Sequence, residues 1–276
     1  MPIVNPAKFS FLSAVLVFAA LLSQASPIPD NNPTASPRER ILFDAGWKFY
    51  LGNPWGEVVH LDKAGGNSGP ARPDFSDADW RTLDLPHDWA IELPFDPKAD
   101  CNHGFKPVGP GFPQNNIGWY RRTFTLSKAD AGKRLRLQFD GAYRNCDVFV
   151  NGWLAGHHDS GYQSFSDDIT ALANCGGKNV VAVRVDASQF EGWFYEGAGI
   201  YRHVWLVKTS PLAIVPDGIF VHGAFKNNVP KGSAEVTVEA SLLNLQTNAA
   251  ATVVACEIFS PDGASVATFH AAKTIN

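Results

Sequence analysis

Short segments in which apolar and polar residues alternate are the feature that most limits the fold of this chain. Along residues 133–141, leucine and phenylalanine alternate with arginine and glutamine, which is the period of two of a half-buried strand. A second strand pattern, Cys146–Val150, is followed at once by Asn151-Gly152, a strong hairpin signal. Both strands are therefore expected to turn one face into a common core. The residues on that face are Leu135, Leu137, Phe139, Val148 and Val150.

Strand patterns fill most of the remaining chain. Further strands are predicted at 47–51, 119–126, 179–186, 201–208, 218–222, 235–245, 251–260 and 264–271. The only helical segment predicted is a short turn at 168–173. Many short strands separated by turns are typical of β-sandwiches and jelly rolls. The sequence therefore predicts an all-β protein, with an antiparallel jelly-roll β-sandwich over residues 41–211.

The strands after residue 211 predict a second, smaller sandwich. An immunoglobulin-type sandwich takes roughly 100 residues, and the segment 212–276 is shorter than that. We therefore expect it to be a partial, truncated immunoglobulin-like domain. Its incomplete core is expected to leave an apolar face uncovered around Val236, Val238, Val253 and Ile258.

Composition excludes several functional classes. Of the 276 residues, 45% are hydrophobic and 18% are charged, which provides enough apolar surface for a core. The formal net charge is −4 and no basic stripe occurs, so a nucleic-acid partner is not expected. The chain contains no phosphate-binding loop, no G-x-S-x-G and no H-E-x-x-H, which are the motifs of nucleotide, serine-esterase and zinc-protease chemistry. No cofactor and no metal site is predicted.

The N-terminus has the pattern of a secretory signal peptide. An apolar run over 9–22 follows Lys8, and Ser23 and Ala25 then supply small residues where a signal peptidase reads the chain. The run is short for a bilayer span, which favours a signal peptide over 1–25 rather than a membrane anchor. We expect a secreted or periplasmic protein with no membrane contact after cleavage. Residues 26–40, rich in Pro, Asn and Ser, are predicted to be a flexible lead-in.

Two groups of residues suggest covalent or metal chemistry but are better explained as structural. The four cysteines could form disulfides in an oxidising compartment, in any of three full pairings. Cys146 shares a strand face with Val148 and Val150, so reduced, buried thiols are favoured instead.

His157, His158 and Asp159 are adjacent, and neighbouring residues of a strand point to opposite faces. A polar strand is therefore favoured there over a metal site.

Aromatic residues beside polar groups mark two probable loops. One carries Trp80 and the segment 86–89 (PHDW), and the other is the segment 189–197 (QFEGWFYEG). Such clusters can hold sugars, because a ring covers the apolar C–H face while acids and amides bind the hydroxyls. The alternative is that the rings close the ends of the core. We favour that alternative for Trp80 and Trp89, and leave both interpretations open for residues 193–195.

Six motifs between residues 41 and 209 together carry a family resemblance. They are 43–49 (FDAGWKF), 85–89 (LPHDW), 118–124 (GWYRRTF), 148–152 (VFVNG), 161–165 (GYQSF) and 197–206 (GAGIYRHVWL). With them, the segment resembles the N-terminal sugar-binding domain of glycoside hydrolase family 2, the family of β-galactosidases, β-glucuronidases and β-mannosidases. It is most similar to the secreted bacterial β-galactosidase-like branch. Residues after 211 are similar to the immunoglobulin-like domain that comes next in this family.

The resemblance implies where catalysis and binding take place. In the family, two catalytic glutamates lie on a (β/α)8 barrel that follows these domains, and this chain ends before one. It implies no catalytic residue here, an inactive isolated chain, and two partners: carbohydrate and the catalytic barrel domain of the full-length enzyme. Loops of the first domain reach the barrel's active site in the family, which implies a substrate rim or sugar contact at Asp88, Trp193, Tyr195 and Glu196. Family members often have Arg and Pro at the positions of Trp193 and Glu196.

Three functions are compatible with the sequence. The chain is the non-catalytic N-terminal part of an exported family 2 glycosidase, a stand-alone carbohydrate-binding module, or a structural sandwich without a ligand. The unfinished second domain favours the first, since a module that acts alone is expected to end at a domain boundary.

Overall fold

A computed structural model of the chain describes residues 7–10, 14–15, 38–56, 58, 67–192, 195–230, 232 and 234–276. The described residues fall into two compact units. The sandwich unit comprises the described residues of Pro37–Thr209. The terminal unit comprises the described residues of Ser210–Asn276 and two short N-terminal strands. No helix in these described ranges is long and apolar enough to cross a membrane.

Strands dominate both units. The described residues form β1 (Ala7–Ser10), β2 (Ala14–Val15), β3 (Glu39–Leu42), β4 (Trp47–Leu51), β5 (Arg81–Leu83), β6 (Ile117–Thr125), β7 (Arg134–Phe139), β8 (Cys146–Val150), β9 (Trp153–His158), β10 (Phe165–Asp168), β11 (Lys178–Asp186), β12 (Val204–Thr209), β13 (Leu212–Phe225), β14 (Ala234–Asn244), β15 (Ala250–Phe259) and β16 (Ser265–Ile275). This confirms the predicted all-β class.

The sandwich unit consists of two antiparallel sheets. One has six strands in the order β5-β4-β6-β11-β8-β9, and the other has four in the order β10-β7-β12-β3. The jumps in strand order show that neighbouring strands are often distant in sequence, as in a jelly roll. The β8–β9 hairpin turns at Asn151-Gly152, where both residues have positive φ, as the sequence predicted.

The core of this unit forms between the two sheets. All five residues assigned to the core-facing side of the first two strands are fully buried in one hydrophobic cluster: Leu135, Leu137, Phe139, Val148 and Val150. Cys146 lies in the same cluster, and all four cysteines have unpaired thiols. Period-two alternation therefore assigned the strand faces correctly.

Two features differ from expectation. The segment 168–173 is not helical: β10 ends at Asp168, and a turn follows in which the backbone N–H groups of Leu172 and Ala173 donate to the carbonyl of Ile169. The only helices in the described ranges are short 3-10 turns, among them Trp89–Glu92 and Cys101–His103. Strands β3, β5 and β10 were not predicted, because three or four residues are too few to show a period. Strand β3 begins at Glu39, inside the predicted flexible lead-in over 26–40, because it pairs with β12. Strands β1 and β2 lie in the segment predicted to be a signal peptide.

The terminal unit contains two separate antiparallel sheets. In one, β14 pairs with β13 on one side and with β1 and β2 on the other; the second is the β15–β16 hairpin. Its buried cluster is small and consists of Ala240, Leu242 and Ile275. Val236, Val238 and Ile258 line an open apolar cavity of about 510 Å³, close to the predicted uncovered face. Val253, assigned to the same face, instead points into solvent, and Val254 lines the cavity.

Candidate functional site

The two aromatic-rich loops predicted from the sequence lie side by side in the sandwich unit. The backbone N–H of His87 donates to the carbonyl of Ile200 at 2.8 Å, and that of Trp89 donates to Ala198 at 2.9 Å. A short strip of β-type hydrogen bonds thus joins segments more than 100 residues apart in sequence. The fold, rather than local sequence, brings the candidate residues together.

Asp88 is the residue that locks the two loops. Its Oδ1 accepts hydrogen bonds from the backbone N–H groups of Ala90, at 2.9 Å, and Ala198, at 2.8 Å. Its Oδ2 accepts from the Tyr195 hydroxyl at 2.7 Å. Gly197, with φ of +71°, approaches so closely that a Cβ there would lie 2.6 Å from Asp88 Oδ2. A side chain at Gly197 would therefore break the junction.

Tyr195 presents a ring to solvent while its hydroxyl is held. The residue is 44% exposed, and its ring lies against Gly104, where a Cβ would come within 2.8 Å of Cδ2. Burial of the hydroxyl and its hydrogen bond to Asp88 raise the pKa of Tyr195 well above its usual value. The phenol therefore stays neutral and acts as a fixed hydrogen-bond donor beside an exposed aromatic face.

Glu196 is turned inward and is only 7% exposed. Its Oε1 accepts from the backbone N–H of Glu191 at 2.9 Å, from that of Gly192, and from the Tyr162 hydroxyl at 3.5 Å. Its Oε2 is buried and has no hydrogen-bond partner among the described residues. Glu196 thus holds the 189–197 loop together from inside, and does not offer an open carboxylate to a ligand.

Three further polar residues gather around Glu196 that the sequence did not single out: His103, Tyr143 and Tyr162. His103 is fully buried, and neither ring nitrogen has a partner in the described part of the chain. Burial lowers the pKa of His103, although the Glu196 charge opposes the shift. Burial together with Glu196 raises the pKa of Tyr143 far above its usual value. Both groups are therefore neutral near pH 7, and no local sequence pattern could have marked them.

The neighbouring aromatics are mainly structural. Trp80 and Trp89 are both buried. Trp89 packs in the core cluster, as expected for a ring that closes the core, whereas Trp80 packs in a separate cluster with Trp119 and Phe149. The Trp89 indole N–H donates to the carbonyl of Asn115 at 2.9 Å. His87 Nδ1 lies 2.7 Å from the Tyr120 hydroxyl, in a hydrogen bond within the unit. Of the four predicted rim residues, Asp88, Tyr195 and Glu196 are therefore clustered, and Trp193 lies outside the described residues.

The adjacent histidines on β9 bind different carboxylates. His157 Nδ1 lies 2.7 Å from Asp147 Oδ1, whereas His158 Nε2 lies 2.8 Å from Asp167 Oδ1. Within the described ranges, no group of three or more His, Cys, Asp or Glu side chains is arranged to hold a metal ion. The two rings are thus held by separate carboxylates and do not converge on one ion.

Comparisons with known sequences agree with this architecture. The family model for glycosyl hydrolases family 2, sugar binding domain, matches residues 77–210. The chain is 42% identical over 210 residues to β-galactosidase BoGH2A of Bacteroides ovatus, an alignment that covers 76% of this chain and 22% of that protein. It is 32% identical over 194 residues to a β-glucuronidase of Bacteroides fragilis, which covers 68% of this chain and 26% of that protein.

Solved structures show the same similarity in three dimensions. A glycosyl hydrolase family 2 member from Bacteroides cellulosilyticus superposes with a TM-score of 0.71 at 30% identity, covering 86% of this chain and 29% of that one. A β-glycosidase from Bacteroides vulgatus superposes with a TM-score of 0.71 at 31% identity, covering 85% and 28%. The chain therefore shares its fold with about a quarter to a third of these larger glycosidases.

Residues 77–210 therefore form a sugar-binding domain of glycoside hydrolase family 2. The chain spans about a fifth to a quarter of the length of the curated relatives described above.

Proposed function

We propose that this chain is the non-catalytic N-terminal part of an exported, β-galactosidase-like family 2 glycoside hydrolase. Asp88, Trp193, Tyr195 and Glu196 form or support the rim of a substrate site that a catalytic barrel domain completes. The observation that carries the proposal is the hydrogen-bonded junction of the two loops, in which Asp88 fixes an exposed Tyr195 ring. The identity to a β-galactosidase of Bacteroides ovatus supports the substrate class.

The chemistry of the junction suits binding better than acid–base catalysis. Hydrolysis with retention needs two carboxyl groups roughly 5–5.5 Å apart, one of them free to give and take a proton. Both oxygens of Asp88 already accept hydrogen bonds from the protein. Glu196 is buried, with one oxygen on backbone N–H groups. The exposed ring of Tyr195 can instead cover the apolar face of a sugar, so the junction contributes contact and orientation.

A chimera tests this role. Residues 26–276 would replace the matching N-terminal segment of the Bacteroides ovatus β-galactosidase, and hydrolysis of nitrophenyl β-galactoside would be measured. We expect the chimera to be active and the isolated chain to be inactive. Tyr195→Phe, which removes the hydrogen bond to Asp88, is expected to lower kcat/KM of the chimera roughly tenfold.

A matched control is Tyr50→Phe, which removes a hydroxyl from another partly exposed tyrosine of the same unit and should leave activity unchanged. A folded but inactive chimera, or equal activity of Tyr195→Phe and the parent chimera, would contradict the proposed role. Sugar binding by the isolated chain combined with an inactive chimera would favour a stand-alone binding module instead.

Export is the remaining part of the proposal. The apolar run over 9–22 and the small residues at 23 and 25 support cleavage after Ala25. Expression of the full chain in a bacterial host, followed by mass spectrometry of the periplasmic or secreted fraction, should yield a chain that begins at Ser26. Recovery of the uncleaved chain from the cytoplasm or the membrane would contradict export by a cleaved signal.

A further inference from the structure

A polar pocket of about 280 Å³ lies on the sandwich unit, where β9 leads through a loop into β10. Its lining residues are His157, His158, Asp159, Ser160, Gln163, Ser164 and Phe165. The volume is near the lower end of the range for ligand pockets, about 300 Å³, so it fits one ring rather than a long chain. Tyr162, in the same loop, donates a hydrogen bond to Glu196, and none of the described rim residues lines the pocket.

Carboxylates on both sides fix the ring of His157. Nδ1 lies 2.7 Å from Asp147 Oδ1, and Nε2 lies 2.9 Å from Asp159 Oδ1. The neighbouring His158 is also held, because its Nε2 lies 2.8 Å from Oδ1 of the buried Asp167. The two imidazoles therefore have set orientations without a ligand.

A stack of rings supports His158 from the core outwards. The His158 and Phe165 rings are 3.8 Å apart at 18°, and Phe165 stacks on Phe139 at 4.8 Å and 16°. Phe139 is fully buried, so the stack is anchored in the hydrophobic core. A wall held in this way loses little conformational entropy when a ligand binds.

Other residues that line the pocket have hydrogen-bonding groups available to a ligand. The side chains of Gln163 and Ser164 are exposed and form no hydrogen bond with any part of the chain that the structure describes. An amide and a hydroxyl together offer both donors and acceptors. Asp159, whose carboxylate is mostly in solvent, adds an acceptor. Mixed donors and acceptors beside aromatic edges are the groups that recognise a polyhydroxylated ring.

The charge around the pocket selects against anions. No lysine or arginine lines it, and Asp147, Asp159 and Asp167 stand directly behind or beside its histidines. Arg184, the arginine that contacts Asp147, is also engaged with Asp186. A carboxylate or phosphate ligand would therefore meet like charge without a free cationic partner.

We propose that this pocket is an additional carbohydrate subsite that holds one neutral sugar ring, such as a galactoside, and rejects a uronate. The proposal rests on the carbohydrate-binding role proposed above and adds a location and a specificity to it. The pocket is a binding site only, since the chemistry of hydrolysis belongs to the catalytic domain.

Solution NMR of the full chain tests the proposal directly. Methyl β-D-galactopyranoside is titrated while the imidazole C–H signals of His157 and His158 are followed, with methyl β-D-glucuronide as the anionic comparison. We expect saturable shifts of both signals with the galactoside, and affinity for the glucuronide at least about tenfold weaker, the effect of a single unfavourable charge contact of roughly 1.4 kcal/mol. Gln163→Ala and Ser164→Ala should each weaken galactoside binding about fivefold, the loss of one hydrogen bond.

The control is Gln114→Ala, which removes an exposed amide outside the pocket and should leave the affinity unchanged. Absence of a saturable shift, equal affinity for both glycosides, or unchanged binding in Gln163→Ala and Ser164→Ala would each overturn the proposal. The chimera assay remains a separate test: an active chimera whose isolated chain shows no histidine shifts would leave the family role standing and remove the subsite. Shifts at His157 and His158 in a chain whose chimera is inactive would support the subsite alone.

Discussion

The sandwich unit and the terminal unit are built from the same kind of strand but reach very different degrees of burial. Large aromatic side chains such as Trp47, Trp119 and Tyr120 are completely buried in the sandwich unit. In the terminal unit the main buried cluster is limited to Ala240, Leu242 and Ile275. There Ile219, Phe220 and Val221 are more than half exposed in this chain.

The difference shows what alternation does and does not determine. Strand β15 alternates regularly, yet its outward residues include Val253, which is 65% exposed. Strand β8 also presents valines, and Val148 is fully buried because a second sheet covers it. Alternation selects which face a residue occupies, whereas burial depends on whether another layer packs on that face.

The largest effect is expected when a strand valine is replaced by aspartate, because the result should be opposite in the two units. Val148→Asp would place a carboxylate without a partner in a dry core, which costs several kcal/mol, on the order of the whole stability of a domain. We expect little or no soluble protein. Val253→Asp puts the same group in solvent and should change the free energy of unfolding by less than about 0.5 kcal/mol.

Soluble yield and thermal denaturation measure this pair. If Val148→Asp expresses normally with an unchanged melting temperature, the strand faces of the sandwich unit are assigned incorrectly. If Val253→Asp is as damaging as Val148→Asp, the terminal unit has a layer over β15 and the contrast between the units disappears.

The sequence predicted the fold well where strands were long enough to show a period. Strands β4 and β8 have the predicted bounds to the residue, because apolar side chains repeat over their full length. Strand β5, with three residues, carries no such repeat. Its position depends on pairing with β4, which is a long-range property that local pattern does not contain.

The candidate site was predictable only in part for the same reason. Asp88, Tyr195 and Glu196 were candidates because acids stand beside aromatic residues in probable loops and because the family resemblance implies a substrate rim there. His103 and Tyr143 were missed, since each is a single residue with unremarkable neighbours. They reach Glu196 because the jelly-roll topology brings their loops to one place, as the hydrogen bond from Glu196 N to the Asn102 carbonyl shows.

A buried ionic network in the sandwich unit should produce the next largest effect. Asp130 is buried, and its carboxylate accepts hydrogen bonds from Lys208 Nζ at 2.9 Å and from Lys133 Nζ at 3.1 Å. Both lysines also contact Glu39, at 2.6 Å from Lys133 and 3.7 Å from Lys208, so neither cation is left without a carboxylate. Asp130→Asn weakens the charged hydrogen bonds and should cost about 2 kcal/mol of unfolding free energy. Chemical denaturation followed by tryptophan fluorescence reports on this unit, because all eight tryptophans precede residue 210.

This network also predicts an acid dependence. Burial opposes ionisation of Asp130, but hydrogen bonds from the two lysines hold its pKa below the usual value. A depressed pKa contributes stability above the unfolded value of about 4 and loses it as the pH falls through the folded value. The parent protein should therefore lose stability below about pH 4, and Asp130→Asn should lose less over that range. Parallel pH profiles for the two proteins would contradict this assignment.

Limited proteolysis should cleave the terminal unit faster than the sandwich unit, which is a smaller effect than the two above. The terminal unit has exposed apolar strands and the small cluster described above, so its local opening should cost less free energy. A difference of about 1.4 kcal/mol in opening gives tenfold faster cleavage. We expect cuts after about Pro211 and a resistant core that begins near Ile41, identified by mass spectrometry. A resistant 212–276 fragment would show that the terminal unit is independently stable.

The smallest effect expected is the pH dependence contributed by His157. Its hydrogen bond to Asp147 is the main factor that raises its pKa, with a further contribution from Asp159, while partial burial opposes the shift. A raised pKa stabilises the fold below the unfolded value of about 6.5 and loses that contribution as the pH rises through the folded value. The side chain is 48% exposed, so solvent screening limits the gain to a few tenths of a kcal/mol. His157→Asn should therefore lower the free energy of unfolding slightly near pH 5, where the histidine is charged, and leave it unchanged near pH 8, where it is neutral.

The matched control is His270→Asn in the terminal unit, where the histidine is exposed and no described carboxylate is hydrogen-bonded to it. Equal pH profiles for the two variants, or an NMR titration of His157 at or below the value of a free imidazole, would remove the electrostatic distinction between the two units.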